Sequence, residues 1–260
     1  MGAADPGARM SGRGAARFAR FAYPPNVLGH CGTGDHGALW GYASAQARPD
    51  PGLDELARTF DGAWPYLTLL AGAAGSEDPL ADEVVRSYWL GGPLLDRITT
   101  PDWGRHLHDR FAGRVGGEGR RALDGAVAGG RPTHAFHVLC VYPWTGLLRS
   151  GLVDGPLEVL DRCRIRWGRV EGVVAGRALV RSRPLGWVDG HLHLGDAVLE
   201  EATLGADGAG LVADIAVGDL VALHWDWVCE RLTPTAARAL EAETAHHLAV
   251  ANGQGVGVLA

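Results

Sequence analysis

The sequence predicts an α+β protein of two domains: a mainly helical N-terminal domain, then a small OB-like β-barrel with a C-terminal helix. Three observations carry this. Between about residues 37 and 98 apolar residues recur at helical spacing. Over 163–228 the chain breaks into short Val, Leu and Trp runs separated by Gly and Asp turns, the pattern of strands. Thr233-Pro234 then opens a stripe of Ala237, Leu240, Thr244 and Leu248 on one helical face. The boundaries expected are a disordered N-terminus over 1–15, a helical domain over 16–155 and the barrel with its helix over 156–252. The join falls near the turn-rich Gly151–Pro156 stretch.

Leu53, Leu56, Ala57 and Phe60 mark the first clear helical face, continued past Pro65 by Leu67 and Ala71. Asp78-Pro79 reads as a helix start, and Gly91-Gly92-Pro93 as its end. A further helix is expected from Asp102 to Val115, and a short one between Gly116-Gly117 and Gly129-Gly130. Residues 134–148 read equally as a helix interrupted at Pro143 or as a strand. Strands are expected at 163–173, 178–183, 191–194, 197–204 and 220–228. Asp189-Gly190 supplies a hairpin turn, and Gly168 a site for a bulge.

The chain has 260 residues, 47% of them hydrophobic, so a core can form. Its formal net charge of −6 argues against nonspecific nucleic-acid binding. All 24 basic residues are Arg. The longest apolar stretch, near 67–75, is far short of the ~20 residues a membrane-spanning helix needs. No signal sequence is evident, and Cys31, Cys140, Cys163 and Cys229 are widely spaced. A cytoplasmic protein with reduced thiols is therefore expected. No Gly-x-Ser-x-Gly, His-Glu-x-x-His, Walker A or dinucleotide-binding pattern occurs in the right context, so no catalytic residues are assigned.

Two segments bear on chemistry. Cys163-Arg164-Ile165-Arg166-Trp167-Gly168-Arg169-Val170 reads as an opening strand with a thiol at its exposed end. Val217-Gly218-Asp219-Leu220-Val221-Ala222-Leu223-His224 reads as a tight turn and a closing strand that ends on an imidazole. Neighbouring strands could bring Cys163 and His224 together. A thiolate with a neutral imidazole suits a soft or borderline metal such as ferrous iron. Each residue also has an ordinary structural reading, as a small buried hydrophobe or a hydrogen-bonded core histidine. Trp225 and Trp227 follow at once and suggest a docking surface.

These segments resemble the HypC/HupF family of [NiFe]-hydrogenase maturation chaperones. Members of that family carry a Met-Cys-x-x-x-Pro-x-x-Val strand and, later, Val-Gly-Asp-x-Val-x-x-His followed by a helix. Here Cys163, Val170, Val217, Gly218, Asp219, Val221 and His224 match, over about residues 160–250. Trp167 stands in place of the Pro, and Cys163 is internal rather than next to an initiator Met. The resemblance implies that Cys163 and His224 hold an iron carrying cyanide and carbonyl ligands. It implies a HypD-like iron–sulfur protein and a hydrogenase large subunit as partners. Trp167, Trp225, Trp227, Arg164 and Arg166 are the expected partner-binding residues.

A second candidate metal cluster comprises His30, Cys31, Asp35 and His36 with His134, His137 and Cys140. On a regular helix the last three would share a face. Asp35 has the competing reading of a helix cap. If these groups converge, the protein reads instead as a metal-dependent enzyme with its site in the N-terminal domain. A third reading is an OB-like module that uses the Arg164/Arg166 face for an anionic or single-stranded ligand. His191, His193, His246 and His247 read as surface residues.

Overall fold

A computed structural model describes residues 6–32, 34–44, 51–111, 113, 117–206 and 209–254. The helices of the first part are α1 (Pro6–Val27), α2 (His36–Ser44), α3 (Pro51–Arg58), α4 (Trp64–Ala74), α5 (Asp82–Leu90), α6 (Thr100–Phe111) and α7 (Gly117–Gly129). A short 3₁₀ turn, Pro93–Arg97, follows α5. Then come α8 (His134–Phe136), a π-helical turn over His137–Val141, α9 (Trp144–Arg149) and α10 (Asp154–Cys163). The second part consists of β1 (Arg166–Val174), β2 (Arg177–Ser182), β3 (Leu185–Val188), β4 (His191–Leu194), β5 (Val198–Thr203), β6 (Gly205–Ala206), β7 (Ala209–Gly210), β8 (Leu220–His224), β9 (Trp227–Arg231) and α11 (Pro234–Gln254).

The protein is thus α+β, helical first and sheet-rich later, with a closing helix. Five strands are hydrogen-bonded in the order β1-β2-β5-β9-β8, and β8 pairs back onto β1, closing the ring. One parallel pair, Thr203 with Trp227, joins β5 to β9. Val170, Ala178, Val180, Ala202, Val221, Leu223 and Val228 fill the interior. The β3–β4 hairpin turns at Asp189-Gly190, both with positive φ (50° and 79°), as a two-residue primed turn requires.

The helical and sheet portions share one buried cluster running from Phe18 and Phe21 to Leu248. Along α1 two Arg residues tie the portions together. Arg17 pairs with Glu230 of β9 and with Asp82, and Arg20 donates to the Cys229 carbonyl at 3.1 Å.

Several expectations need correction. Residues 6–15 belong to α1, and Gly14 and Ala15 are buried, because the helix packs on α5 and the sheet; residues 1–5 lie outside those described. The helix after Asp78-Pro79 begins at Asp82; Asp78 Oδ1 instead accepts from the Leu80 N–H at 2.8 Å. Cys163 ends a helix rather than opening a strand, and β1 starts at Arg166. The bulge falls between Val170 and Gly172, not at Gly168. The segment 220–228 is two strands, because Trp225 takes φ 51° and Asp226 completes a reversal. Residues 134–148 resolve to helix, with Pro143 at the start of α9.

Candidate metal centre

The Cys163 sulfur and one ring nitrogen each from His134 and His224 lie within 4.8 Å of one another. All three residues are buried, at 3%, 5% and 0% exposure. Each imidazole is held by a hydrogen bond to a backbone carbonyl, and Cys163 sits at the end of α10.

His224 is set by a helix carbonyl that has lost its partner. In α1 the Phe21 carbonyl would ordinarily accept the N–H of residue 25, but that residue is Pro. His224 Nδ1 fills the vacancy, donating to the Phe21 oxygen at 2.6 Å. A carbonyl can only accept, so the proton is on Nδ1 and the lone pair on Nε2. That nitrogen is buried and has no hydrogen-bond partner among the described residues. An imidazole anchored through one nitrogen with the other free is the arrangement of a metal ligand.

His134 is placed by a similar device at a helix end. Thr133 caps its helix, accepting from the Phe136 N–H at 3.2 Å. His134 Nε2 donates to the carbonyl of Cys163, the last residue of α10, at 2.8 Å. The Tyr88 hydroxyl sits 3.4 Å from His134 Nδ1 and 3.2 Å from the Gly62 carbonyl. The Cys163 carbonyl can only accept, so His134 carries its proton on Nε2 and its lone pair on Nδ1, beside the Tyr88 hydroxyl.

Arg166 locks the segment that ends on Cys163 to the segment that follows His224. One Nη donates to the Asp161 and Arg162 carbonyls of α10 (3.1 and 3.3 Å), the other to the Trp225 carbonyl (2.7 Å) and to Glu200 (2.9 Å). The Trp225 N–H bonds the Arg162 carbonyl at 2.8 Å, closing the same junction. Arg164 turns to Asp161 and the Arg183 carbonyl. Both guanidinium groups are about 1% exposed, so the anticipated Arg164/Arg166 docking face is an internal clamp.

Burial makes the centre electrically neutral in the absence of an ion. It lowers the His134 pKa to about 4 and that of His224 well below the ordinary imidazole range. It pushes the Cys163 thiol well up, and nearby Cys31 adds to this. Both imidazoles therefore keep lone pairs at neutral pH, while the thiol deprotonates only against a cation.

A cavity of about 390 Å³ adjoins the centre, lined among others by His134, His224, Tyr88, Tyr142, His137 and Arg110. His30 and Cys31 also line it. His30 stacks on Trp225 with centroids 4.4 Å apart, and Cys31 Sγ lies 3.7 Å from the Tyr142 hydroxyl. The second candidate cluster is thereby divided. His134 belongs to the centre, and His30, Cys31 and His137 face the cavity. Asp35 caps α2 through the Ala38 N–H (3.1 Å), and His36 bonds Asn26 (2.9 Å). The π turn rotates Cys140 away, so that its sulfur faces the His247 carbonyl at 3.8 Å.

The three Trp residues expected at a docking face are half-buried. Trp227 packs edge-on against Tyr23 and Trp40, and Trp167 lies 6.0 Å from the Arg164 guanidinium. His191, His193 and His246 are exposed as expected, whereas His247 is wholly buried. It accepts from the Arg131 N–H and donates to the Glu243 carbonyl, which makes it a core residue. Sequence reasoning missed the part played by Arg166, Tyr88 and the Pro24-Pro25 pair. Only the paired prolines inside a helix left a readable signal.

Substituting Pro25 by Ala returns an N–H that competes with His224 for the Phe21 carbonyl. We expect Pro25→Ala to weaken binding of a divalent ion by roughly tenfold, the lower end for a partner behind a metal ligand. Competitive Co²⁺ titration measures it; an unchanged affinity would mean that the carbonyl does not orient His224.

Residues 10–257 match the model described as "Family of unknown function (DUF6390)". No curated protein matches the chain, and no solved structure matches it. Among the described residues no helix is long and apolar enough to cross a membrane.

Proposed function

The chain belongs to the DUF6390 family, whose function is unknown, and we propose from its own site that it is an accessory protein of [NiFe]-hydrogenase maturation that holds or delivers an iron fragment. The observation that carries this reading is the meeting of Cys163 and His224. Seven strands, β1 to β7, lie between Cys163 and the strand that ends on His224, yet the two residues converge with coordinating atoms within 4.8 Å. In this reading the five-stranded ring is the HypC-like, OB-like barrel, and the iron fragment is cargo. The reading also takes the protein as cytoplasmic, with a HypD-like protein and the hydrogenase large subunit as partners.

The donor set suits the cargo. One soft thiolate and two neutral imidazoles favour a borderline ion such as ferrous iron over hard cations. Three protein ligands leave positions open on the cavity side, where exogenous ligands on the metal have room. Cys163 is internal, and His134, from the helical portion, supplies the third donor.

A host strain lacking this gene should accumulate hydrogenase large subunit without iron, and wild-type protein should restore activity where Cys163→Ala does not. Full hydrogenase activity in the deletion strain would end the maturation reading. The same centre also supports a metal-dependent enzyme, because three ligands beside an open cavity are the arrangement of catalytic metal sites. In that case the site joins the helical and sheet portions, rather than lying within the helical one.

A further inference from the structure

Beside the centre, the cavity presents polar groups that the centre does not use. Both ring nitrogens of His137 are buried and without a hydrogen-bond partner among the described residues, and the residue is 5% exposed. Arg110 Nη1 is in the same condition. The guanidinium lies over the Tyr66 ring, 4.9 Å from its centroid, and its other Nη donates to the Asp61 carbonyl. Among the described residues Arg110 takes part in no ion pair. Asp61 supplies the one carboxylate among the described lining residues, and it is exposed.

Charge counting then indicates what the cavity takes. Resting on the reading of Cys163, His134 and His224 as metal ligands, a divalent ion with one thiolate leaves one positive charge. Arg110, half-buried with Nη1 turned inward and unpartnered among the described residues, adds a second at the same cavity. Positive charge of this kind is best compensated by an anion, and among the described lining residues no buried carboxylate supplies one. A fixed guanidinium and an imidazole with unspent N–H are donors of the kind that hold anions.

We propose that Arg110 and His137 form a subsite for a small anion bound to the open side of the metal, a ligand of the cyanide or azide class. Arg110 supplies charge and an N–H from Nη1. His137, kept neutral by burial, donates one N–H to the anion. The cavity volume of about 390 Å³ accommodates such ligands, and the exposed His30 is among its lining residues.

The test uses the full chain loaded anaerobically with Co²⁺, with azide as the probe and the thiolate–Co²⁺ absorption as the readout. Azide should bind one to one. Arg110→Gln should weaken azide by roughly tenfold or more, the size of a charge-assisted hydrogen bond, with Co²⁺ affinity unchanged. Arg110→Lys, which keeps the charge, should recover part of the loss, and His137→Phe should weaken azide at unchanged Co²⁺ affinity. Equal azide affinity in wild type and Arg110→Gln overturns the subsite while leaving the metal centre standing. No uptake of Co²⁺ by the wild type defeats the metal reading and the subsite with it.

Discussion

Replacing Cys163 with Ala should lower the affinity for ferrous iron or Co²⁺ by about 100-fold or more, and His224→Ala should do the same. Loss of a partner behind a ligand already costs roughly 10–100-fold, and loss of the ligand itself costs at least as much. Among the three candidate ligands Cys163 alone supplies a negative charge to the ion. Without it, a divalent cation would enter a buried, neutral site with nothing to offset its desolvation. His224 supplies a lone pair, since Nδ1 is spent on Phe21 and Nε2 has no hydrogen-bond partner among the described residues. His134→Ala should cost less, because both of its ring nitrogens already have polar neighbours, the Cys163 carbonyl and the Tyr88 hydroxyl, with which a metal must compete. Anaerobic competitive titration ranks the three. Wild-type affinity in Cys163→Ala would return the thiol to the role of a small core residue.

The metal-free protein should be acid-labile, losing stability steeply as pH falls from about 6.5. Burial lowers His134 to about 4 and His247 to about 3 in the folded chain, against an ordinary value of 6.5. Between those limits the unfolded chain binds protons that the folded chain refuses. Stability therefore rises with pH in this window and falls on acidification, by about 1.4 kcal/mol per pH unit for each such group. Across 6.5 to 4, His134 alone accounts for about 3 kcal/mol, a large part of an ordinary folding free energy of about 5–15 kcal/mol. His137 and His224 are shifted in the same direction by burial and add to the slope. Thermal unfolding followed between pH 8 and 4.5 should show a flat upper range and a steep fall below 6.5. An unchanged melting temperature from pH 7 to pH 5 would show that these imidazoles titrate freely in the folded chain. His247→Gln, which keeps a donor and an acceptor, should flatten the slope by one proton.

The α+β order of the chain was legible because its signals are local: the helical stripe of Leu53 and Ala57 (though Phe60 at its end falls beyond α3), the Asp189-Gly190 turn, and Thr233 capping α11 through the Ala236 N–H. The Cys163/His224 pair was legible as two ordered motifs. The place of Cys163 was not: the alternation Cys163, Ile165, Trp167 reads as a strand, yet Leu160 and Cys163 are buried at helical spacing and α10 runs to Cys163 before the chain extends. Arg164 and Arg166 carry charge, which in a sequence suggests a surface. Here they are buried because the carbonyls at the end of α10 and the Asp161 and Glu200 carboxylates need donors. The recruitment of His134 depends on the packing of α8 against the end of α10, a contact between distant segments that leaves no trace in residue spacing.

The most direct measurement is the composition of the protein purified anaerobically from a host that makes a [NiFe]-hydrogenase. About one iron per chain and infrared bands from cyanide and carbonyl ligands are expected, with both the iron and the bands absent from Cys163→Ala. Iron-free wild-type protein without those bands, or iron and bands retained in Cys163→Ala, would contradict the iron-holding reading.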